Sequence, residues 1–110
     1  MIKLGICTGV EHIGELADIG FDYIELGLAR VSELSDEEFE KVAQAVDASL
    51  IKAEAFNGIL PGTLKVVGDE VNAQAIHDYL DKAFARARRL GGRVVVFGSG
   101  RSRAVPEGFD

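Results

Sequence analysis

Cysteine is nearly absent: Cys7 is the only one in 110 residues. A single thiol cannot close an internal disulfide, which excludes a disulfide-stapled secreted scaffold and points to a reducing cytoplasm. In its apolar setting Cys7 reads as a small strand residue rather than a reactive thiol. Positive charge is also in short supply. Lys and Arg number 12 against 18 Asp and Glu, a net charge of −6 that opposes sequence-independent attraction to nucleic-acid phosphates. No apolar run approaches the roughly 20 residues that span a bilayer, so no membrane partner is expected. The opening "MIKLGICTGVEHIG" lacks a signal peptide's apolar stretch and cleavage site. What remains, 47% hydrophobic and 27% charged residues, is ordinary globular composition for one domain or one piece of a domain.

Strand and helix patterns alternate along the chain. "IKLGIC" is a short apolar strand, and Ile13, Leu16, Ala17 and Ile19 then form a helical stripe ending at Gly20, a natural left-handed cap. "FDYIELG" is the second strand. Ser35 and Glu38 have the spacing of a capping box, with Leu34 and Phe39 placed as a staple around it. Phe39, Val42, Ala43 and Val46 give that helix its buried stripe. "LIKAEAFN" is the third strand and "GILPGTLKVVGDEV" a turn-rich loop. Asn72 caps a third helix, with Ile76, Tyr79, Leu80, Ala83, Ala87 and Leu90 on one face. Arg86, Arg88 and Arg89 are expected at its solvated end, where cations suit the dipole. Gly91-Gly92 closes the helix and "RVVVF" is the fourth strand. The expectation is therefore four strands and three helices in parallel βα units with right-handed crossovers.

Two architectures fit that order: an open doubly wound sheet, or part of a TIM-type barrel. Central strands of an open sheet are covered on both faces and should be apolar throughout. Here Tyr23 and Glu25 share one face of the second strand, and Lys52, Glu54 and Phe56 are expected to share one face of the third. A barrel interior that turns polar towards its mouth uses that pattern, so the barrel is favoured. Familiar chemical signatures are missing. "GSGRSR" has no third glycine and no helical pattern after it, which argues against dinucleotide binding. His12 and His77 have no metal-ligand spacing and read as structural or surface residues.

The strings "KLGICTGVEHI", "GFDYIELGLARVSELSDEEFE", "AEAFNGILPGTLKVVGDEV" and "VVVFGSGRSRAVPEGF" together resemble sugar phosphate isomerases/epimerases with the xylose-isomerase-like barrel. The resemblance runs through residues 1–110, which it makes the N-terminal half-barrel of a truncated TIM-type domain, with the fourth unit lacking its helix. It implies a metal-dependent isomerase or epimerase acting on a sugar or sugar phosphate by proton transfer beside a carbonyl. The divalent metal (Mn, Co, Mg or Zn) and the proton-relaying glutamates belong to later strands in that family. No catalytic residue, metal ligand or cofactor is therefore expected in this chain, which is expected to be inactive alone.

Loops at the C-terminal ends of barrel strands form the active face. That rule selects Cys7 and Thr8, Glu25, Asn57, and Gly98 through Arg101, of which Glu25, Asn57, Gly98, Ser99, Gly100 and Arg101 are the substrate-binding candidates. Glu25 would accept hydrogen bonds from sugar hydroxyls, or else be a structural carboxylate paired with Lys52 or a backbone amide. Asn57 offers a donor and an acceptor to a polyol, or caps its own turn. Gly98 through Arg101 could cradle an anion, or only turn the chain. Glu54 reads as structural, with Lys52 on its own face. The rival reading is a self-associating half-barrel, a homodimer through exposed sheet edges acting as a structural or small-molecule-binding module. An abasic-site endonuclease relative shares the barrel but needs strand-end histidines that are missing here.

Overall fold

The computed structural model describes residues 1–109. Strand β1 (Gly5–Cys7) leads through a 3-10 turn (Val10–His12) into helix α1 (Ile13–Ile19), which ends at Gly20 with φ 111°. Strand β2 (Tyr23–Gly27) passes straight into a short helix α2 (Leu28–Glu33), and α3 (Asp36–Asp47) follows. Strand β3 (Lys52–Asn57), helix α4 (Ala73–Arg89), strand β4 (Val94–Val95) and a one-turn helix α5 (Gly100–Arg103) complete the chain. The four strands form one parallel sheet in the order β1-β2-β3-β4. Because each crossover steps to the next strand with the same hand, the crossover helices share one face. A doubly wound sheet would reverse direction partway; this one does not. Two helices go beyond the expected three: α2, whose Leu28, Val31 and Ser32 are buried, and α5, which stands where no helix was expected.

The core lies between the sheet and its helices. Ile24 and Leu26 of β2 and Ala53 and Phe56 of β3 pack with Leu28, Ala43, Val46, Ala83 and Ala87. Phe56 is completely buried, a burial worth about 1.5–3 kcal/mol. Its position corrects the alternation expected from sequence. Ile24 pairs with Ala53 but Glu25 pairs with Ala55, so a bulge leaves Glu54 without its own partner on β2. The extra residue flips everything after it, turning Phe56 to the helix side instead of leaving it with Lys52 and Glu54. Ile19 also departs from its expected stripe and is exposed.

Of the arginines ending α4, Arg88 and Arg89 are exposed as expected, but Arg86 is not solvated. Arg86 is buried and donates to the carbonyls of Val31 (2.7 Å) and Leu34 (2.7 Å), with Ser32 at 3.5 Å. It also reaches Asp36 Oδ1 at 3.0 Å, and its guanidinium lies 4.7 Å from the centre of the Phe39 ring. One side chain on α4 thus satisfies the open carbonyls ending α2 and the acidic first turn of α3. Arg89 makes a two-pronged ion pair with Asp47 at 3.0 and 2.7 Å. The capping box forms in both directions, Glu38 N to Ser35 Oγ at 3.1 Å and Ser35 N to Glu38 Oε1 at 3.2 Å.

The loop after β3 is strapped down from the far end of the chain. Ser99, at φ 47°, accepts the amide of buried Leu60 on its Oγ at 3.0 Å. Ser102 Oγ, also buried, donates to the Pro61 carbonyl at 2.8 Å, and the Val66 amide donates to the Ser102 carbonyl at 3.0 Å. Tyr79 adds a hydrogen bond from its hydroxyl to the Ile59 carbonyl at 2.7 Å. No helix among the described residues is long and apolar enough to cross a membrane.

These contacts make three measurable predictions. Replacing Arg86 with Ala strands buried carbonyls and should cost about 3 kcal/mol in urea unfolding; Lys, which lacks the planar fork, should restore only part of it. Interaction with the Ser35 hydroxyl, and then with its backbone amide, holds the Glu38 carboxyl below its ordinary value. The Arg89 hydrogen bond does the same for Asp47. Groups lowered on folding contribute stability that is full above the ordinary carboxylate range and is lost as pH falls through the folded values. Stability should therefore fall below about pH 4.5, with a shallower acid limb in the Ser35→Ala and Asp47→Asn variants. Ser99→Ala should speed hydrogen exchange of the Leu60 amide by about tenfold, the loss of one hydrogen bond, while the exchange of α4 stays unchanged.

Candidate functional site

The face of the sheet away from the helices carries the chain's polar strand residues. Across it run Lys3, Gly5 and Cys7, then Tyr23, Glu25 and Gly27, which are the residues paired or alternating with them in β1 and β2. The Tyr23 ring lies over Gly5, where any Cβ would collide with it. Glu25 faces a cavity of about 470 Å³ shared with Lys3, Tyr23, Glu54 and Arg93. Neither expected structural partner reaches Glu25. Lys52 turns away and donates to the carbonyls of Val46 (2.8 Å) and Ser49 (2.9 Å), closing the end of α3. Among the described residues, no side-chain hydrogen bond engages the Glu25 carboxylate.

Glu54 is the committed carboxylate of this cavity. Lys3 Nζ stands 3.0 and 3.2 Å from its two oxygens, and Arg93 4.0 Å away. Its structural reading thus stands with a different cation: Lys3, from before β1, takes the place expected of Lys52. The bulge explains the exchange, since it displaces Glu54 from regular alternation.

Asn57 occupies the C-terminal end of β3 opposite Gly27. With no side chain on Gly27, Asn57 leans across β2, and its Nδ2 donates to Cys7 Sγ at 3.3 Å. Cys7, Thr8, Gly27, Arg30 and Asn57 line a cavity of about 570 Å³ at the strand ends, with Glu11 at its rim. Arg30 was missed from the sequence because it belongs to α2, the helix not foreseen. The signal was present in the i, i+3, i+4 spacing of Leu28, Val31 and Ser32.

Gly98 through Arg101 do not line either cavity. Ser99 is engaged with Leu60, and the Arg101 carbonyl accepts from Lys65 Nζ at 3.0 Å. Arg103 folds back to the Gly98 carbonyl at 2.7 Å and stacks over Phe97 at 5.7 Å. A Cβ at Gly98 or Gly100 would meet nothing within 4 Å, so both glycines border open space. The candidates therefore fall into three places: Asn57 with Cys7, Glu25 with Glu54, and the Gly98–Arg101 turn. His12 lies 3.6 Å from Glu11 and 3.8 Å from Glu15, and His77 is exposed on α4. Among the described residues no three His, Cys, Asp or Glu side chains gather as a metal site.

No protein-family model matches this chain, and no curated protein does. The solved structures that match its fold include two epimerases. D-psicose 3-epimerase, crystallised in the presence of D-fructose, has a TM-score of 0.66 at 17% identity, over 86% of this chain and 36% of that one. Apo 3-keto-D-glucoside 4-epimerase from E. coli has a TM-score of 0.63 at 15% identity, over 90% of this chain and 38% of that one. The chain thus spans little more than a third of the length of either. At these identities the likeness is one of fold. The four parallel strands alternating with helices match part of the TIM-barrel fold of both structures, the architecture expected from the sequence.

Proposed function

We propose that this chain is the N-terminal part of a sugar isomerase or epimerase, and that it builds one wall of the sugar pocket. The observation that supports this most is the fold match to two sugar epimerases, joined to a cavity at the strand ends, where barrel enzymes bind substrate, whose mainly apolar lining carries Thr8, Arg30 and Asn57. The reaction class is proton transfer at a carbon beside a carbonyl. The C–H bond breaks, its electron pair moves into an enediolate, and a proton returns to the same carbon or its neighbour. No residue of this chain is assigned to that transfer.

Its residues are assigned to binding. Asn57 donates to and accepts from sugar hydroxyls at the mouth, beside Arg30. Glu25, lower on the same face, accepts from hydroxyls with a carboxylate that no protein donor engages among the described residues. Gly98 and Gly100 leave room for close approach, and Ser99 holds their turn in place. The Arg101 guanidinium forms no hydrogen bond among the described residues and suits a phosphate if the sugar carries one.

A divalent metal does not fit the donors present. Glu54 is held by Lys3, no histidine joins the two glutamates, and two carboxylates fall short of a hard-cation shell. The reading therefore assigns Mn, Co, Mg or Zn to side chains outside these residues, and no step here passes through it.

The test is a titration of the isotope-labelled chain with D-fructose, followed by amide chemical shifts. Millimolar sugar should move the signals of Thr8, Gly27 and Asn57, without turnover even when Mn²⁺ is added. Asn57→Ala should weaken binding by up to about tenfold, the value of one hydrogen bond. Shifts confined to other surfaces, or none at saturating sugar, would sink the sugar reading. Turnover by the chain alone would sink its inactivity.

A further inference from the structure

The cavity at the strand ends has two unlike halves. Every residue lining it falls within 7–57, so the first three strands and their connections shape it. Beside the strand ends stand the groups able to meet hydroxyls: Thr8, Arg30 and Asn57. Away from them, Val10 of the 3-10 turn, Val31 of α2, Leu34 just after α2 and Val42 of α3 contribute only hydrocarbon. Val31 is buried, whereas Val10, Leu34 and Val42 stay half-buried. Chemistry separates what the two halves can hold. A sugar hydroxyl placed among these aliphatic side chains would lose its hydrogen bonds to water and find no replacement, which burial penalises. An apolar group in the same place gains by leaving water. The volume, about 570 Å³, is that of a site for a whole small molecule. A bare polyol would use the end beside the strands and leave the aliphatic end unfilled.

We infer that the sugar bound here carries an apolar substituent, seated between Val10, Leu34 and Val42 while its hydroxyls meet Thr8, Arg30 and Asn57. That substituent is the aglycone of a glycoside or the terminal methyl of a deoxy sugar, since both set hydrocarbon beside a polyol. The inference rests on the sugar reading and narrows it. Thr8, Arg30 and Asn57 meet the part that all sugars share, and the aliphatic end selects among sugars by what they carry. A free, fully hydroxylated sugar leaves that end without a partner and binds more weakly.

The test titrates the isotope-labelled chain with D-fructose, 6-deoxy-D-fructose, and the methyl, butyl and hexyl D-fructosides. It follows the amides of Thr8, Gly27 and Asn57 together with the methyl groups of Val10, Leu34 and Val42. A fructoside cannot open to its ketone, so these compounds are probes of binding only. Each methylene that enters the aliphatic end should tighten binding about fourfold. Butyl fructoside should therefore bind at least about tenfold more tightly than methyl fructoside, with both sets of signals moving together. A gain along the alkyl series assigns the substituent to an aglycone. A gain for 6-deoxy-D-fructose over D-fructose alone assigns it to a terminal methyl. Equal affinity for all these sugars overturns the inference. So does 1-butanol binding as tightly as butyl fructoside, because the cavity would then take hydrocarbon without reading the sugar. Val10→Phe should fill the aliphatic end and abolish the gain. Val42→Thr, which keeps the shape but trades a methyl for a hydroxyl, should reduce it. A gain that survives in both variants arises elsewhere and sinks the inference. The two readings fail separately. Silence at Thr8, Gly27 and Asn57 with every sugar ends the sugar reading and this one with it, whereas D-fructose binding to which no substituent adds ends this one alone.

Discussion

A parallel sheet whose strands follow one another in sequence order can be covered by its own crossovers on one face only. That constraint organises the whole molecule. Ile24, Leu26, Ala53 and Phe56 turn towards the helices and form the core. Tyr23, Glu25 and Gly27 turn the other way and stay half-exposed. The division between a packed face and a chemical face is therefore set by topology before any side chain acquires a role.

Holding three helices on one face of so small a sheet needs a tie, and Arg86 provides it. Hydrophobic packing alone would leave the carbonyls at the end of α2 facing apolar surroundings without donors. The guanidinium supplies several donors in one plane, and its ring contact with Phe39 covers its own apolar side. Its ion partner Asp36 is solvent-exposed, so the carbonyl contacts and not the salt bridge carry most of the stabilisation. The same economy appears in the loop after β3, where two serine hydroxyls replace a longer ladder of backbone bonds.

Local signals were legible and non-local ones were not. The Ser35–Glu38 box, the Asn72 cap and the Gly20 terminus depend on residues three or four apart, and each formed as its spacing implied. Four parallel strands followed from the repeated βα pattern. The bulge at Glu54 was invisible, because it depends on how β2 and β3 come into register and not on either strand's own pattern. From that one event follow the turn of Phe56 towards the helices and the replacement of Lys52 by Lys3 as the cation beside Glu54. Arg86 was misread for a related reason. A cationic residue at a helix end is ordinarily solvated, and only the arrival of α2, itself unforeseen, buries it.

The bulge also explains why the candidate residues separate. Had β3 stayed regular, Lys52, Glu54 and Phe56 would have shared the inner face, with Glu54 directly beside Glu25 and the Phe56 ring opposite Gly27. With the extra residue at Glu54, Phe56 packs outward, and Ala55 stands beside Glu25 instead. A small residue there keeps the cavity around Glu25 open, while Asn57 returns to the inner face at the mouth. The irregularity costs one strand pairing, and in return it moves an aromatic ring into the core and clears the polar face. The spacing that binds Asn57 to Cys7 across Gly27 depends on this shift. A regular strand would have placed Asn57 on the helix side, away from any substrate.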